Sequence, residues 1–479
     1  MTRLPCRPLL ACGHLLSCFA LVACGHSSTA PSPAAPPPAP AKPADKPVIP
    51  IPTLVDAGPT PAATPEARAE LVVQQLARQD FEGAEKSFAP AIATALPKDK
   101  LAELWKQLTT QAGAMSTCDA PARKSAKPGQ PTVVVVPCHF AKGALDFVVA
   151  VDDSLQISGL HLAPHESQVP WTPPPYAATD ARTRELDVGD LPGTLTVPAG
   201  AGPFPCVVLV HGSGPNDRDE TIGPNKVFAD LAAGLAAHGV ATLRYDKRTR
   251  VKPETLPKEF TVEDETIKDA VIAADLCSAQ PEIDHKRTFV LGHSLGAMVA
   301  PRIAQHAKDL AGILVIAGPA RDLADILVDQ YTYIANTDGT ISPDEQKAID
   351  EAKVDAKRVH ELEAGAQPTP GEMHVGAPAS YWKDLAKYDP PTVAATLTLP
   401  IFVGQGGRDY QVLAKVDFPR WQKALAKHAN AKLVLWPTLS HLLVAGEGPS
   451  KPADYEKAGH VDEQVIRDIA DFVAKKMKK

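Results

Sequence analysis

The sequence predicts an α/β fold, a mostly parallel sheet with helices on both faces and an inserted helical lid, preceded by a small α+β domain. Three observations predict it. From about Thr183 onward, apolar runs of strand length alternate with helical patterns, as in a parallel sheet buried on both faces. One of those runs passes through a tight Gly-x-Ser-x-Gly turn into a helix. The 479 residues leave room for a second folded unit upstream, and the 48 prolines, about twice the usual share, gather where linkers would fall.

Hydrophobic residues make up 44% of the chain and charged residues 22%, ordinary globular values that argue against a disordered or fibrous protein. With 49 basic and 56 acidic residues, a net charge of −7 and no long basic run, nucleic acid is not an expected partner.

Residues 1–23 are expected to be a signal peptide: Arg3 and Arg7, no acidic residue, then an apolar stretch through Leu15, Leu16 and Phe19. Leu21-Val22-Ala23-Cys24 resembles a bacterial lipobox, which implies lipidation of Cys24 and a membrane attachment at the mature N-terminus, facing the periplasm of the cell envelope. An ordinary cleaved signal and an uncleaved anchor are the alternatives. No later segment has about 18 consecutive apolar residues. Residues 24–65 are expected to be a tether, since 13 of the 35 residues from Pro31 to Pro65 are proline, mixed with alanine that favours extended polyproline II.

Residues 66–163 read as the small α+β module. Ala69, Val72 and Leu76 suggest one helix, and Leu101, Leu104, Trp105 and Leu108 place one face of another inward. Strand-like runs follow at Thr132–Val136, Ala144–Val151 and Leu155–Leu160. Cys118 and Cys138 flank a strand pair and are a possible disulfide, whereas Cys206 and Cys277 read as buried free thiols. The module offers no nucleophile, base and orienter, and it resembles the small module preceding some envelope hydrolases, a likeness that implies no chemistry. Residues 164–182, with Pro173-Pro174-Pro175, form a linker.

Residues 183–479 carry the large α/β domain, with strands expected at Cys206–Val210, Ala241–Tyr245, Thr288–Leu291, Gly312–Ala317, Ile401–Gly404 and Lys432–Trp436. Thr261 and Asp264 suggest a helix start, and Val465, Ile466, Ile469, Phe472 and Val473 form the buried stripe of the last helix. Residues of about 321–395 interrupt the alternation and read as a lid. Within it, Asn336, Asp338, Gly339, Ile341 and Glu345 have part of a calcium-loop spacing, but Ile334 stands where the first ligand belongs, so a turn before a helix is expected and no metal.

In Phe289-Val290-Leu291-Gly292-His293-Ser294-Leu295-Gly296-Ala297, small Gly292 and Gly296 let strand and helix approach while Ser294 Oγ projects outward. A serine hydroxyl is a weak nucleophile at neutral pH and needs a base plus a group that orients it. Asp409 follows the apolar run ending at Gly404, and His441 lies in the loop after the next run. These are the expected orienter and base, with Asp389 and His460 as rivals that follow no sheet strand. The order Ser, Asp, His resembles the α/β-hydrolase superfamily, in particular bacterial serine esterases and serine aminopeptidases, over about Thr183 to Lys479. The resemblance implies an oxyanion hole from the backbone N–H groups of Leu295 and Ser213, the latter in His211-Gly212-Ser213-Gly214, with His211 bracing the loop. It also implies no cofactor and a small acyl ester as substrate. Asp217-Arg218-Asp219-Glu220 and Arg244-Tyr245-Asp246-Lys247-Arg248 look similar to that subgroup's loops and suggest a salt-bridged mouth, with Arg218 or Lys247 as alternative binders of a substrate carboxylate. Tyr331, Tyr333, Tyr381 and Trp382 either line an acyl pocket or belong to the lid core. An aminopeptidase or thioesterase on the same triad, and a catalytically inactive binding lipoprotein, are the other functional readings.

Overall fold

The computed structural model describes residues 49–50, 63–125, 130–140, 143–165, 171–337 and 339–475. The expected signal peptide, Cys24 and most of the expected tether lie outside the described residues. The chain divides into two compact units between Glu166 and Ser167.

In the first unit, helices at Pro65–Ala77, Phe81–Lys86, Pro90–Ala95 and Lys98–Ala112 fall in the chain between the first strand and the rest of an antiparallel sheet. Thr64 caps the first helix by accepting the Ala67 N–H, and Pro65 begins it where its missing donor costs nothing. The sheet runs Ile49–Pro50, Met115–Cys118, Thr132–Phe140, Gly143–Val151, Ile157–Pro164, with Ala122–Ser125 also paired to Thr132–Phe140. Its core joins Ala69, Val72, Val73 and Leu76 from the first helix to Val134, Val136, Val149 and Ile157. Leu101 and Trp105 are buried as expected, Trp105 stacking on Phe147 at 6.3 Å, but Leu104 is exposed because it lies at the margin of that face. Two places within the bounds of the expected tether belong to elements of this unit. Ile49 pairs with Cys118, and the helix already includes Pro65.

The second unit is built on eight strands: β1 Arg182–Val188, β2 Leu191–Val197, β3 Phe204–Val210, β4 Ala241–Tyr245, β5 Ile283–His293, β6 Gly312–Ile316, β7 Ile401–Gly406 and β8 Ala431–Trp436. Their spatial order is 8-7-6-5-3-4-2-1. Strands β3 to β8 pair in parallel and β1 and β2 antiparallel. Strand β3 lies between β4 and β5, so the chain leaves it to one side and returns on the other, and the crevice beyond its carboxyl end is where such sheets gather functional groups. The β1–β2 hairpin was not anticipated from the sequence. Its signal is Gly189-Asp190, a two-residue turn with Gly189 at φ 63°.

Cys118 and Cys138, directly opposed on paired strands, form a disulfide. Cys206 and Cys277 are not free thiols: they form a second disulfide joining β3 to the end of the helix Lys268–Ser278. Both are fully buried, and their strand and helix pack face to face, which sequence separation concealed.

Between β6 and β7 the chain inserts helices at Leu323–Ala335, Pro343–Glu363, Ala379–Leu385 and Pro390–Thr396. Ser342 and Glu345 form a reciprocal capping box, so Glu345 is committed to a helix start, while Asp338 lies outside the described residues. His360 ties the two longer helices by its contact to Asp325 (3.0 Å) and also meets Glu363 (2.8 Å) on its own helix. Bonding to Glu363, then to Asp325, raises its pKa to about 9. Burial, with Asp322 beside it, raises the Glu363 carboxyl to about 7, so the charged pair is fullest between about pH 7 and 9, weakens as Glu363 protonates below that, and is lost as pH rises through about 9. Replacing His360 by alanine should therefore lower the melting temperature more near pH 8 than at pH 10, read by thermal denaturation at both values.

Candidate active site

Strand β5 delivers Ser294 with φ 54° and ψ −118°, a conformation unusual for a residue with a Cβ and characteristic of stored backbone strain at a functional turn. The elbow is held by Ser294 N–H donating to Ile316 O (3.0 Å) and by Met298 N–H donating to Ser294 O (2.9 Å). Its glycines are required by space. A Cβ on Gly292 would sit 2.1 Å from Gly296 C, and one on Gly296 would sit 2.2 Å from Val210 O. Gly296→Ala should therefore push the elbow from β3 and cost several kcal/mol, about 3 or more, seen as lost soluble expression or a lowered urea midpoint.

The loops after β7 and β8 bring together the other two predicted groups. His441 Nδ1 lies 2.7 Å from Asp409 Oδ2, both residues being buried. Asp409 is itself fixed: Oδ1 accepts the Gln411 and Val412 N–H groups (2.8 and 2.9 Å), and Oδ2 accepts Gln405 Nε2 (3.0 Å). With Nδ1 protonated toward that carboxylate, His441 presents Nε2 as an acceptor, the tautomer a general base needs. Among the hydrogen bonds of the described residues, none joins Ser294 Oγ to His441, a contact that commonly tightens only with substrate in place.

Between these groups lies a residue the sequence reading passed over. His293, inside the Gly-x-Ser-x-Gly turn, contacts His441 O through Nε2 (2.9 Å) and Glu220 Oε2 through Nδ1 (2.9 Å). Burial alone would favour the neutral imidazole, but the Glu220 carboxylate outweighs it and raises the pKa. Burial likewise opposes the Glu220 charge, and His293 outweighs it, so the Glu220 pKa is lowered. Glu220 Oε1 accepts the Gly212 N–H (2.6 Å), linking elbow, base loop and the His211–Gly214 loop.

Leu295 is the first residue of the helix Leu295–His306, so its N–H is one of the unpaired donors of a helix start, and no hydrogen bond of the described residues engages the Ser213 N–H. His211 is packed between Phe228 and Tyr245 and bonds Asp217 O (2.9 Å); burial holds its pKa down to about 4, so it is a neutral brace. The rivals have other work. Asp389 caps the helix Pro390–Thr396, and His460 pairs with Asp230 (3.1 Å).

Arg218 is bound to Asp246 (2.9 Å) and to Glu185, and Lys247 is buried against Glu265 (2.8 Å), so neither is available to a substrate carboxylate. Arg244 and Lys226 share Asp219 in the same network. Of the lid aromatics, Tyr381 and Trp382 are buried in the lid, with Trp382 Nε1 donating to His374 O (3.0 Å), and Tyr333 stacks on Tyr410 at 5.1 Å.

A strained serine elbow, an Asp-oriented histidine in the loop after the last strand, and this sheet order define a hydrolase with a nucleophilic serine. Residues 207–458 match the model of the Alpha/beta hydrolase family, and the chain belongs to that family. It is 36% identical over 411 residues to Esterase EstD of Thermotoga maritima, an alignment covering 86% of this chain and 95% of the relative. Residues 69–160 match a protein family of unknown function, DUF3887. Among solved structures, an esterase of Pyrococcus furiosus is similar at 19% identity over 58% of this chain and 88% of its own, with a TM-score of 0.39. An acylaminoacyl peptidase of Pyrococcus horikoshii is similar at 13% identity over 74% of this chain and 49% of its own, also with a TM-score of 0.39.

Proposed function

We propose that this protein is a carboxylic ester hydrolase that works through an acyl-enzyme on Ser294. The observation that carries the reading is the buried 2.7 Å contact between His441 and Asp409 beside the elbow. Ser294 Oγ attacks the ester carbonyl carbon and gives its proton to His441 Nε2. The tetrahedral oxyanion is met by the N–H groups of Leu295 and Ser213. The alcohol departs with the proton from His441. Water then gives a proton to His441 and its hydroxide to the acyl carbon, and release of the acid returns the proton to Ser294. The esterase name of the 36% identical relative supports esters as the substrate class.

The reading extends to the cell envelope, with residues 1–23 as an export signal and Cys24 as the lipidated N-terminus of the mature chain. Two disulfides among the described cysteines favour an oxidising compartment. No helix of the described residues is long and apolar enough to cross a membrane. Labelling cells with a palmitate analogue should mark the wild-type chain and not Cys24→Ser.

The activity is tested by treating the purified protein with a fluorophosphonate and locating the adduct by mass spectrometry, alongside a panel of p-nitrophenyl esters, thioesters and aminoacyl anilides. An adduct on Ser294 with ester turnover supports the proposal. An unlabelled, folded protein that turns over no ester overturns it, and faster turnover of thioesters or anilides reassigns the substrate class.

A further inference from the structure

Lys247 is fully enclosed and serves no step of the mechanism. Its ammonium lies 2.9 Å from Gly212 O and 2.8 Å from Glu265 Oε1. A peptide group is planar and trans, so its C=O and its N–H point in opposite directions. Gly212 O and the Ser213 N–H belong to one peptide. Whatever holds that carbonyl therefore aims the donor assigned to the oxyanion. Asn216 Nδ2 assists with a longer bond to Gly212 O (3.2 Å), and Glu220 fixes the preceding peptide through the Gly212 N–H.

We propose that Lys247, held by Glu265, is a positioning residue that sets the oxyanion hole by gripping the Gly212 carbonyl. This rests on the serine-hydrolase reading above. Glu265 comes from a single π-helical turn, Glu263–Ile267, that precedes the helix Lys268–Ser278, a local irregularity common at functional sites. Its second oxygen, Oε2, accepts the hydroxyl of Tyr381 (3.0 Å), which stands on the lid helix Ala379–Leu385. A continuous chain of polar contacts thus runs from the lid through Glu265 and Lys247 to the peptide that must meet the oxyanion. Burying an ion pair is costly unless each group is well bonded, and the two remaining bonds of this pair are the ones that lead to the lid and to the loop.

The test uses the full chain. Lys247→Met should lower kcat by about 10²- to 10³-fold, the usual effect of one lost oxyanion donor, with KM changed less than about threefold. A trifluoromethyl ketone, which forms a tetrahedral adduct on the serine, should lose affinity in proportion, whereas the product acid should bind as before. Lys247→Met strands the Glu265 charge, so the double variant Lys247→Met/Glu265→Leu guards against misfolding and should show the same kinetic split. Tyr381→Phe removes one hydroxyl and should reduce kcat by a smaller factor. A folded double variant with wild-type kcat, or with a raised KM alone, overturns the proposal. A crystal structure of that variant with the Gly212 carbonyl unmoved also overturns it, whatever the activity. Failure of the wild type to react at Ser294 would instead count against the esterase reading.

Discussion

Ser294→Ala should abolish ester turnover, with kcat falling by on the order of 10⁶-fold, and leave the melting temperature close to that of the wild type. The alanine removes only an oxygen, and the backbone bonds of the elbow, from Ser294 N–H to Ile316 O and from Met298 N–H to Ser294 O, remain. The φ of 54° is tolerated already by a residue with a Cβ, so alanine brings no new strain. Residual hydrolysis above the water rate would come from the oxyanion donors and from substrate binding. Steady-state kinetics beside a thermal melt separates these outcomes, because a fold defect would lower both together.

Asp409→Asn should lower kcat by about 10⁴-fold while sparing the fold. The reason is directional. The carboxylate accepts from His441 Nδ1, Gln405 Nε2 and two backbone N–H groups. An amide at this place must turn its NH₂ either toward the two backbone N–H groups or toward Gln405 Nε2 and His441 Nδ1, so two contacts become donor against donor. The backbone N–H groups cannot adapt but the imidazole can, so the NH₂ faces His441, whose Nδ1 becomes the acceptor while Nε2 carries the proton, which disables the base. The variant should still react slowly with a fluorophosphonate. Full activity in Asp409→Asn would show that another group orients His441.

Much of the site was legible because its chemistry is written in short segments. The elbow needs two small residues four apart around the nucleophile, and Asp409 and His441 each follow an apolar strand that sequence periodicity reveals. What escaped notice depends on residues far apart in sequence. Nothing in Glu265 distinguishes it from other acidic residues of a helix start until Lys247 and Tyr381 are seen on either side of it. His293 is likewise only a middle residue of a motif until Glu220 and the His441 carbonyl close on its ring. The Cys206–Cys277 bridge spans 71 residues, and only the packing of helix on sheet brings its ends within reach. Strand β1 was hidden for a different reason: with Arg182, Thr183, Arg184 and Glu185 all exposed, it lacks the apolar content that marks an interior strand.

That composition has a consequence for how the protein behaves in a crowd of its own copies. A sheet margin offers unpaired backbone donors and acceptors to any passing strand, and unprotected margins are a route to aggregation. Strand β1 ends the eight-stranded sheet, and its charged side chains would have to be desolvated before another chain could add there. Arg184 is further engaged with Glu282 (3.3 Å) and Gln280 (3.0 Å), which anchors that margin to the enzyme's own surface. The edge that made the strand hard to read is thereby a guard against unwanted growth of the sheet.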